Sequence, residues 1–285
     1  MRPAPVTPFA FLAPSMLILG VFVLCAAVQV FALSFMRVDL FADGGLWGDA
    51  TFVGLANFER VWSSPRFWWC LGNSFLYLLV TPALMAVSLG AALVVTSGLR
   101  GLGPGLRALL FLPVVTPTIV AAIAWRVLFN EDAGVLNAML PGAVPWLSEY
   151  PWVLVTAATV TLWKGFGYYM MIFAAALLAV PRELEEAASI DGAGRASVFW
   201  NVTLPSIKPV VVLVALISSI SALKVFDELY VTVRGAPVAS KTAVPLIYET
   251  AFEDGSFGSA CAVGVSLFLV ILVFSFVQLR LTKET

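Results

Sequence analysis

Six blocks of mostly apolar residues follow one another along the chain, each long enough to cross a bilayer as a helix, which takes about 20 residues. They cover residues 9–35, 72–96, 108–129, 151–180, 209–233 and 257–279. Of the 285 residues, 61% are apolar and only 12% are charged, whereas about 25% are charged in an average soluble domain. The sequence therefore predicts an all-α membrane protein of six transmembrane helices, with the lipid bilayer as its solvent and 1–285 as a single membrane domain.

Several classes of function are excluded by composition. The chain contains no histidine, which removes His-based acid–base catalysis, Ser-His-Asp and Cys-His nucleophiles, and HExxH zinc sites. Its three cysteines, Cys25, Cys70 and Cys261, are far apart in the sequence and are expected to be small packing residues rather than metal ligands. A formal net charge of −1 argues against nucleic acid as a partner. We therefore expect no catalytic residue, no metal and no enzyme activity in this chain.

The basic residues between the blocks predict the orientation in the membrane. An even number of spans places both ends of the chain on one side. That side collects Arg2, Arg100, Arg107, Arg182, Arg195, Lys208, Arg280 and Lys283. The other side collects Arg37, Arg60, Arg66, Arg126, Arg234 and Lys241. Because the first set lies in the shorter loops, where the positive-inside rule counts most, we predict that both termini and the 181–208 loop are cytoplasmic. The first block exceeds a signal-peptide core and is expected to remain as a helix.

One polar stretch, residues 181–208, is unusual in so apolar a chain. Pro181 suits the first position of a helix, where its missing N–H costs nothing. Leu184, Ala187 and Ala188 then share one helical face. A turn at Gly192 and Gly194 precedes a second short helix that carries Val198, Phe199 and Val202 and is expected to stop at Pro205. Two interpretations fit equally: a helix lying on the lipid headgroups, or a docking element for a soluble partner.

Ionisable residues also lie inside the blocks, namely Lys164, Lys224, Asp227 and Glu228. Burying a charged side chain at membrane depth is energetically costly, so such residues are first considered as candidates for a functional site. Lys224 could instead pair with Asp227 and Glu228 at i+3 and i+4 of one helix. Lys164, in the Lys164–Gly167 stretch that interrupts the fourth block, has Trp163, Phe166, Tyr168 and Tyr169 around it. Such aromatics suit a sugar ring but equally serve packing. A polar lining for a hydroxylated or anionic solute and an internal charge pair both remain open.

The 181–208 stretch resembles a known family. Glu186-Ala187-Ala188, three residues, Gly192, nine residues, Val202, one residue and Leu204-Pro205 is similar to the EAA loop of permease subunits in bacterial ATP-binding-cassette (ABC) importers. Further similarities to the maltose- and glycerol-phosphate-type subunits are Gly54–Phe58, Leu112-Pro113, Asp191, Phe199, Phe226–Val231, Gly235-Ala236-Pro237 and Tyr248–Phe252. The chain departs from that pattern at Val233, where threonine is usual, and at Ala236, where a second glycine is usual.

The resemblance implies the type I importer fold, with 181–208 as a coupling helix set into a cleft of a separate ATPase. Glu186 would bond a basic group there and Gly192 would allow the bend. The other coupling positions that it implies are Ala187, Ala188, Asp191, Phe199, Leu204 and Pro205. The solute pathway that it implies includes Thr118, Gly165, Tyr168 and Lys224, to which the charged Lys164 and Asp227 are added.

The resemblance also implies partners. No GxxxxGK[ST] loop occurs, so Mg-ATP would be hydrolysed by two ABC ATPase subunits. A second permease subunit would complete a heterodimer, and a solute-binding protein would dock on the 36–71, 130–151 and 234–256 loops of this inner-membrane subunit. The expected cargo is a carbohydrate, polyol or glycerol-phosphate solute. An ion-coupled secondary transporter is the alternative, for which inverted repeats are not evident. An intramembrane enzyme is disfavoured.

Overall fold

The structure, a computed structural model, describes residues 7–38, 50–97, 103–232 and 240–283. Several residues named in the sequence analysis lie outside these ranges: Arg2, Arg100, Arg234, Val233 and Gly235-Ala236-Pro237. The described residues form two compact units. The first comprises the chain up to Trp68 together with 246–270, and the second comprises 69–245 together with the residues from Ile271 onward.

Almost all of the regular structure is helical. In chain order the elements up to the middle of the sequence are α1 (Thr7–Leu19), a π-helical turn (Gly20–Leu24), α2 (Cys25–Ser34), β1 (Met36–Arg37), β2 (Thr51–Phe52), α3 (Ala56–Ser63), α4 (Pro65–Tyr77), α5 (Val80–Thr96), α6 (Gly103–Val115), α7 (Thr118–Leu128) and α8 (Val135–Met139). They continue with α9 (Trp152–Leu178), α10 (Arg182–Ile190), α11 (Arg195–Val198), a second π-helical turn (Phe199–Thr203), α12 (Leu204–Ser206), α13 (Lys208–Leu223), α14 (Asp227–Thr232), α15 (Ala243–Phe252) and α16 (Phe257–Lys283).

Within the part of the chain that the structure describes, four helical stretches are long and apolar enough to cross a membrane: Phe11–Ser34, Pro65–Thr96, Trp152–Leu178 and Phe257–Thr282. Two further candidates are bent pairs. Gly105–Val115 and Thr118–Leu128 meet at 92°, and Arg195–Ser206 and Lys208–Leu223 meet at 70°. With each pair taken as one span the total is six, in agreement with the predicted fold class. Arg195–Ser206 of the second pair belongs to the 181–208 stretch, which was predicted as a loop before the fifth span.

The third block, expected as one span over 108–129, is broken by Pro117. This residue has an extended backbone (φ −56°, ψ 134°) and precedes the first residue of α7. Pro113, in contrast, lies inside α6. A proline has no N–H to continue the helical ladder and its ring crowds the preceding turn. The two prolines of this block therefore behave differently, and only Pro117 separates two helices.

Two local expectations were wrong. The Lys164–Gly167 stretch does not interrupt its helix, because α9 runs unbroken from Trp152 to Leu178. The fifth block, in contrast, is not one helix. Helix α13 ends at Leu223 with Lys224 as its C-cap, and α14 begins only at Asp227. Lys224, Asp227 and Glu228 are therefore not i, i+3 and i+4 neighbours on one helix.

The first unit contains a short antiparallel hairpin that the sequence did not predict. Met36 pairs with Phe52 and Arg37 with Thr51. The side chain of Asn57, in α3, is buried and donates to Ser34 O at 2.9 Å and to Met36 O at 2.8 Å. The first bond satisfies the carbonyl of Ser34 at the end of α2, a group that a helix leaves without a partner, and the second holds the carbonyl of Met36 in β1. Asn57 of the Gly54–Phe58 motif is thus the residue that fixes the hairpin against α3.

The second unit is held together by helix packing around α9. Met170 and Phe173 are fully buried and pack with Leu84 of α5 and Val214 of α13. The Tyr77 and Thr161 hydroxyls lie 2.7 Å apart and link α4 to α9. Gly167 faces α6 so closely that a Cβ there would lie 2.5 Å from Leu110 O. Small residues at such a crossing let two membrane helices approach to backbone contact.

Candidate functional site

A polar cavity of about 500 Å³ lies within the second unit, between α5, α9, α13 and the 224–228 segment. Its volume falls within the range of about 300–1,000 Å³ that is usual for small-molecule sites. Hydroxyl and charged side chains make up its polar lining: Thr81, Thr161, Lys164, Tyr168, Tyr169, Ser218, Ser221, Lys224, Asp227 and Glu228. Apolar side chains such as Val80, Leu84, Val114 and Ile217 complete the wall. Donors, acceptors and apolar surface therefore alternate around one space.

Five of the six residues predicted for a solute pathway line this cavity: Lys164, Gly165, Tyr168, Lys224 and Asp227. Thr118, the sixth, is the first residue of α7 and does not line it. Sequence reasoning missed Thr161 on α9 and Ser218 and Ser221 on α13 as lining residues. The sequence did contain a usable signal. Thr161 stands three positions before Lys164, and Ser218 stands three positions before Ser221. Residues at positions i and i+3 share one helix face, so these side chains could be expected to face the same space.

The break between α13 and α14 places three charges at the cavity. Lys224 caps the last turn of α13, and Asp227 and Glu228 open α14. Lys164 reaches the same cavity from α9. Among the residues that the structure describes, Lys224 forms no ion pair with Asp227 or Glu228 within 4.0 Å. The cavity thus carries two lysine side chains and two carboxyl groups, and Lys224 and Asp227 are both exposed.

A second candidate site is the helical loop after α9. Here α10 is Arg182–Ile190, and Gly192 follows with φ +84°. Pro181, expected as the first helical residue, instead precedes the helix as its N-cap with ψ 127°. Glu186 and Ala187 are exposed and Ala188 is half-buried. Glu186 has no hydrogen bond or ion pair with any other described residue, so its carboxylate is open to a partner.

The second half of this loop is not the simple α-helix that was expected. After α11 the chain makes a π-helical turn over Phe199–Thr203 and a short α12. The buried residues are Val198 and Thr203, whereas Val202 is only half-buried. The extra residue in the π turn moves the buried face one position along the chain. Pro205 lies inside α12, and the 70° bend between α12 and α13 comes after Ser206.

A groove of about 680 Å³ runs between α10 and the end of α5. Its lining is Thr96, Ser97, Arg182, Glu185, Glu186, Ser189 and Ile190. Ile190 is 85% exposed, and Trp200 in the π turn is 64% exposed. Two large apolar side chains are thus exposed on this loop, one of them, Ile190, in the lining of the groove.

The 130–151 segment is an ordered loop, not a free acidic surface. The carboxylate of Glu131 accepts hydrogen bonds from the backbone N–H groups of Leu147 and Ser148, both at 2.8 Å, and from Ser148 Oγ at 3.0 Å. Asn137 accepts from Val144 N and Trp146 Nε1 and donates to Val144 O. The Glu131 carboxylate therefore accepts its hydrogen bonds from groups of the same loop.

The apolar spanning helices, the polar cavity between them and the exposed helical loop together define an integral membrane permease. Residues 100–284 match the family described as "Binding-protein-dependent transport system inner membrane component". The chain belongs to this family. Within the described residues, no group of three His, Cys, Asp or Glu side chains is arranged to hold a metal ion.

Curated relatives cover nearly the whole chain. The trehalose/maltose transport system permease protein MalF of Thermococcus litoralis is 30% identical over 96% of this chain and 93% of its own length. The arabinooligosaccharides transport system permease protein AraP of Bacillus subtilis is 33% identical over 96% of this chain and 88% of its own length. The crystal structure of a bacterial ABC transporter involved in the import of the acidic polysaccharide alginate matches with a TM-score of 0.82 at 19% identity, covering 98% of this chain and 95% of that chain.

These matches confirm the resemblance found in the sequence and the predicted fold class. The chain is an inner-membrane permease subunit of an ABC importer that works with a binding protein. It is not an enzyme, because ATP is hydrolysed by a separate ATPase subunit of such importers. The ion-coupled secondary transporter is the less well supported alternative.

Proposed function

We propose that this subunit passes a carbohydrate or a related polyol or glycerol-phosphate solute across the cytoplasmic membrane. The observation that carries this proposal is the 500 Å³ cavity, where five residues chosen from the sequence meet in one polar lining. Hydroxyl, lysine and carboxylate groups can each bond a solute hydroxyl, and the Tyr168 ring is 46% exposed and available for stacking on a sugar face. The names of the curated relatives, which include a trehalose/maltose and an arabinooligosaccharide permease, support the same class of solute.

Residues 1–285 form one membrane domain of six spans with both termini and the 181–208 loop in the cytoplasm. The loop acts as the coupling helix. Glu186 bonds a basic group in the ATPase cleft, and Gly192, at φ +84°, provides the bend. The supporting surface comprises Ala187, Ala188, Asp191, Phe199, Leu204 and Pro205. The open carboxylate of Glu186 and the groove beside it support this assignment.

The complete importer contains a second permease subunit, two ATPase subunits that bind Mg-ATP, and an extracytoplasmic solute-binding protein. The binding protein docks on the 36–71, 130–151 and 234–256 loops. Only 6% of the most apolar stretch of the helix Phe11–Ser34 is buried within this chain. Its exposed apolar surface supports the presence of a second permease subunit as a partner. Closure of the two ATPases on ATP pulls the coupling helix and alternates the cavity between outward and inward access.

The pathway is tested with the reconstituted importer and a panel of maltose, trehalose, arabinotriose, glycerol and glycerol 3-phosphate. The solute-binding protein of the importer is first screened for the panel member that it binds. Lys224→Met is expected to raise the transport KM for that solute about tenfold, the value of a lost hydrogen bond to a charged group. Tyr168→Ala is expected to raise it about fivefold through the lost stacking surface. Arg280→Met, an exposed basic residue near the end of α16 that does not line the cavity, is the matched control. Unchanged KM in both cavity variants would remove the cavity from the pathway.

The coupling assignment is tested separately with Glu186→Ala. We expect the variant to insert and assemble normally but to lose solute-stimulated ATP hydrolysis and uptake, since the basic group in the cleft would be left buried and unpaired. Glu183→Ala, an exposed carboxylate on the same helix, is expected to retain both activities. Full activity of Glu186→Ala would exclude the coupling role of this residue.

A further inference from the structure

A hydrogen bond closes the helical loop on itself. Thr203 Oγ1 lies 2.7 Å from Glu185 Oε1, although the two residues are 18 positions apart. Thr203 is 6% exposed and Glu185 is half-buried. A hydroxyl that donates to a carboxylate forms a charge-assisted bond, which is shorter and stronger than a neutral one. This is the side-chain hydrogen bond that joins α10 to the π turn among the described residues.

The π turn is what makes this bond possible. It inserts an extra residue between Val198 and Thr203, so that these two residues, five positions apart, are both buried. An uninterrupted α-helix would bury Val198 and Val202 instead and would turn Thr203 away from α10 by about 100°. π turns are rare and are found frequently at functional sites. Here the turn aims one hydroxyl at one carboxylate.

Adjacent carboxylates thus have different surroundings. Glu185 bonds inward to Thr203, whereas Glu186 is exposed and bonds to no other described residue. Both line the same groove. A partner that pulled on Glu186 would act on α10, and the Glu185–Thr203 bond would pass the displacement to the segment after the turn.

That segment leads directly to the cavity. Ile207 N donates to Thr203 O at 3.2 Å, and α13 begins at Lys208. Helix α13 lines the cavity with Ser218 and Ser221 and ends at Lys224. On the other side, α9 lines the cavity with Lys164 and Tyr168 and ends shortly before α10. The bond therefore joins α10, which follows α9, to the π turn that precedes α13, and both α9 and α13 contribute to the polar lining.

We infer that Glu185 is a positioning residue, and that its bond to Thr203 makes α10 and the π turn move as one body when the ATPase acts. The inference rests on the proposed coupling function. Without the bond, α10 would still follow the ATPase, but α13 would follow it less completely. ATP would then be hydrolysed with less solute moved.

The test measures solute transported per ATP hydrolysed in the complete reconstituted importer, with whichever of maltose, trehalose, arabinotriose, glycerol or glycerol 3-phosphate it carries. Thr203→Val removes the hydroxyl without changing the shape, and Glu185→Ala removes the acceptor. Each is expected to lower the ratio about fivefold while binding-protein-stimulated ATP hydrolysis continues. Thr203→Ser keeps the hydroxyl and is expected to stay within about twofold of the parent.

The double variant Glu185→Ala/Thr203→Val distinguishes a shared bond from two independent effects. Its ratio is expected to equal that of the single variants, because the bond can be lost only once. A parental ratio in Thr203→Val, or losses that multiply in the double variant, would overturn the inference. If Glu186→Ala also keeps full activity, the coupling function itself fails. If Glu186→Ala abolishes coupling while Thr203→Val does not change it, only the role of the bond fails.

A spectroscopic distance measurement tests directly whether the Glu185–Thr203 bond holds the two halves of the loop together. Spin labels at Glu183→Cys on α10 and Arg195→Cys on α11, in a chain whose native cysteines are replaced by alanine, report the distance between the two halves of the loop. Thr203→Val is expected to broaden this distance distribution, and Thr203→Ser to leave it narrow. A narrow distribution in Thr203→Val would show that the halves stay together without the bond and would contradict the inference.

Discussion

Gly258 lies against Met36 so closely that a Cβ on the glycine would be 2.0 Å from the Met36 carbonyl oxygen. The same Cβ would be 3.0 Å from Asn57 Nδ2, which donates to that oxygen. The first turn of α16, the hairpin and α3 therefore meet at one point in the first unit. A side chain larger than hydrogen at position 258 cannot be placed there without moving the hairpin backbone.

We predict that Gly258→Ala destabilises the protein by about 1–3 kcal/mol or more, the usual cost of overpacking a close contact. Thermal unfolding of the purified subunit in detergent measures the effect. Gly264→Ala is the control on the same helix, since its Cβ would meet only Ile247 Cδ1 at 3.8 Å. Equal melting temperatures for the two variants would contradict the close approach at Gly258.

Gly167→Ala is predicted to disturb the crossing of α9 and α6. The added Cβ would lie 2.5 Å from Leu110 O and 3.0 Å from Val114 Cγ2, so the helices must separate, again at a cost of about 1–3 kcal/mol. Gly90→Ala meets nothing within 4 Å and should not reduce stability, because alanine favours a helix more than glycine does. Thermal unfolding of both variants provides the comparison.

Replacement of Gly192 is predicted to impair coupling rather than insertion. At φ +84° a side chain is strained by about 1–2 kcal/mol. Proline additionally cannot reach this φ and removes the N–H that donates to Ser189 O at 3.1 Å. Gly192→Pro is therefore expected to abolish uptake by the reconstituted importer while membrane levels of the subunit stay normal. Gly194→Ala, at φ −69°, is expected to transport normally; normal uptake by Gly192→Pro would exclude the need for this turn.

Glu131→Ala is predicted to loosen the 130–151 loop. It removes the acceptor of three hydrogen bonds from Leu147 and Ser148, and opening of the loop should become easier by about 1.5–3 kcal/mol, the value of hydrogen bonds to a charged group. Limited proteolysis in detergent measures the opening. Asp132→Ala changes an exposed neighbouring acid and should leave cleavage unchanged. Cleavage at the parental rate in Glu131→Ala would show that the carboxylate does not close the loop.

The apolar blocks and the Glu186-to-Pro205 spacing were sufficient to predict the helical membrane fold and the family. Both are properties of the chain that do not depend on how its helices pack. In lipid, every backbone polar group of a spanning helix must form its hydrogen bond within that helix. A long apolar block can therefore be predicted as a helix without knowledge of the helices that pack against it. Residue types at cavity positions such as Lys164 and Lys224 were also recognisable, because an ionisable group inside an apolar block is costly wherever the block lies.

The places where sequence reasoning failed are breaks and shifts within helices. Sequence reasoning missed the stop at Leu223, the unbroken course of α9 through Gly165 and Gly167, and the hairpin at Met36. The last two of these involve contacts with residues distant in the sequence. Gly167 stays helical because it packs on α6, and the hairpin is fixed by Asn57 of α3. Such contacts override intrinsic propensities of about 1 kcal/mol per glycine.

The sequence by itself thus determined that this chain spans a membrane, which family it belongs to and which residues carry charge into the bilayer. Only the tertiary structure decided which of those residues share one cavity, and that Thr203 rather than Val202 faces Glu185. The physical reason is that apolar periodicity specifies how a helix meets lipid. Which residue a side chain contacts, in contrast, depends on local details such as one added residue in a π turn or the absence of a Cβ at a glycine.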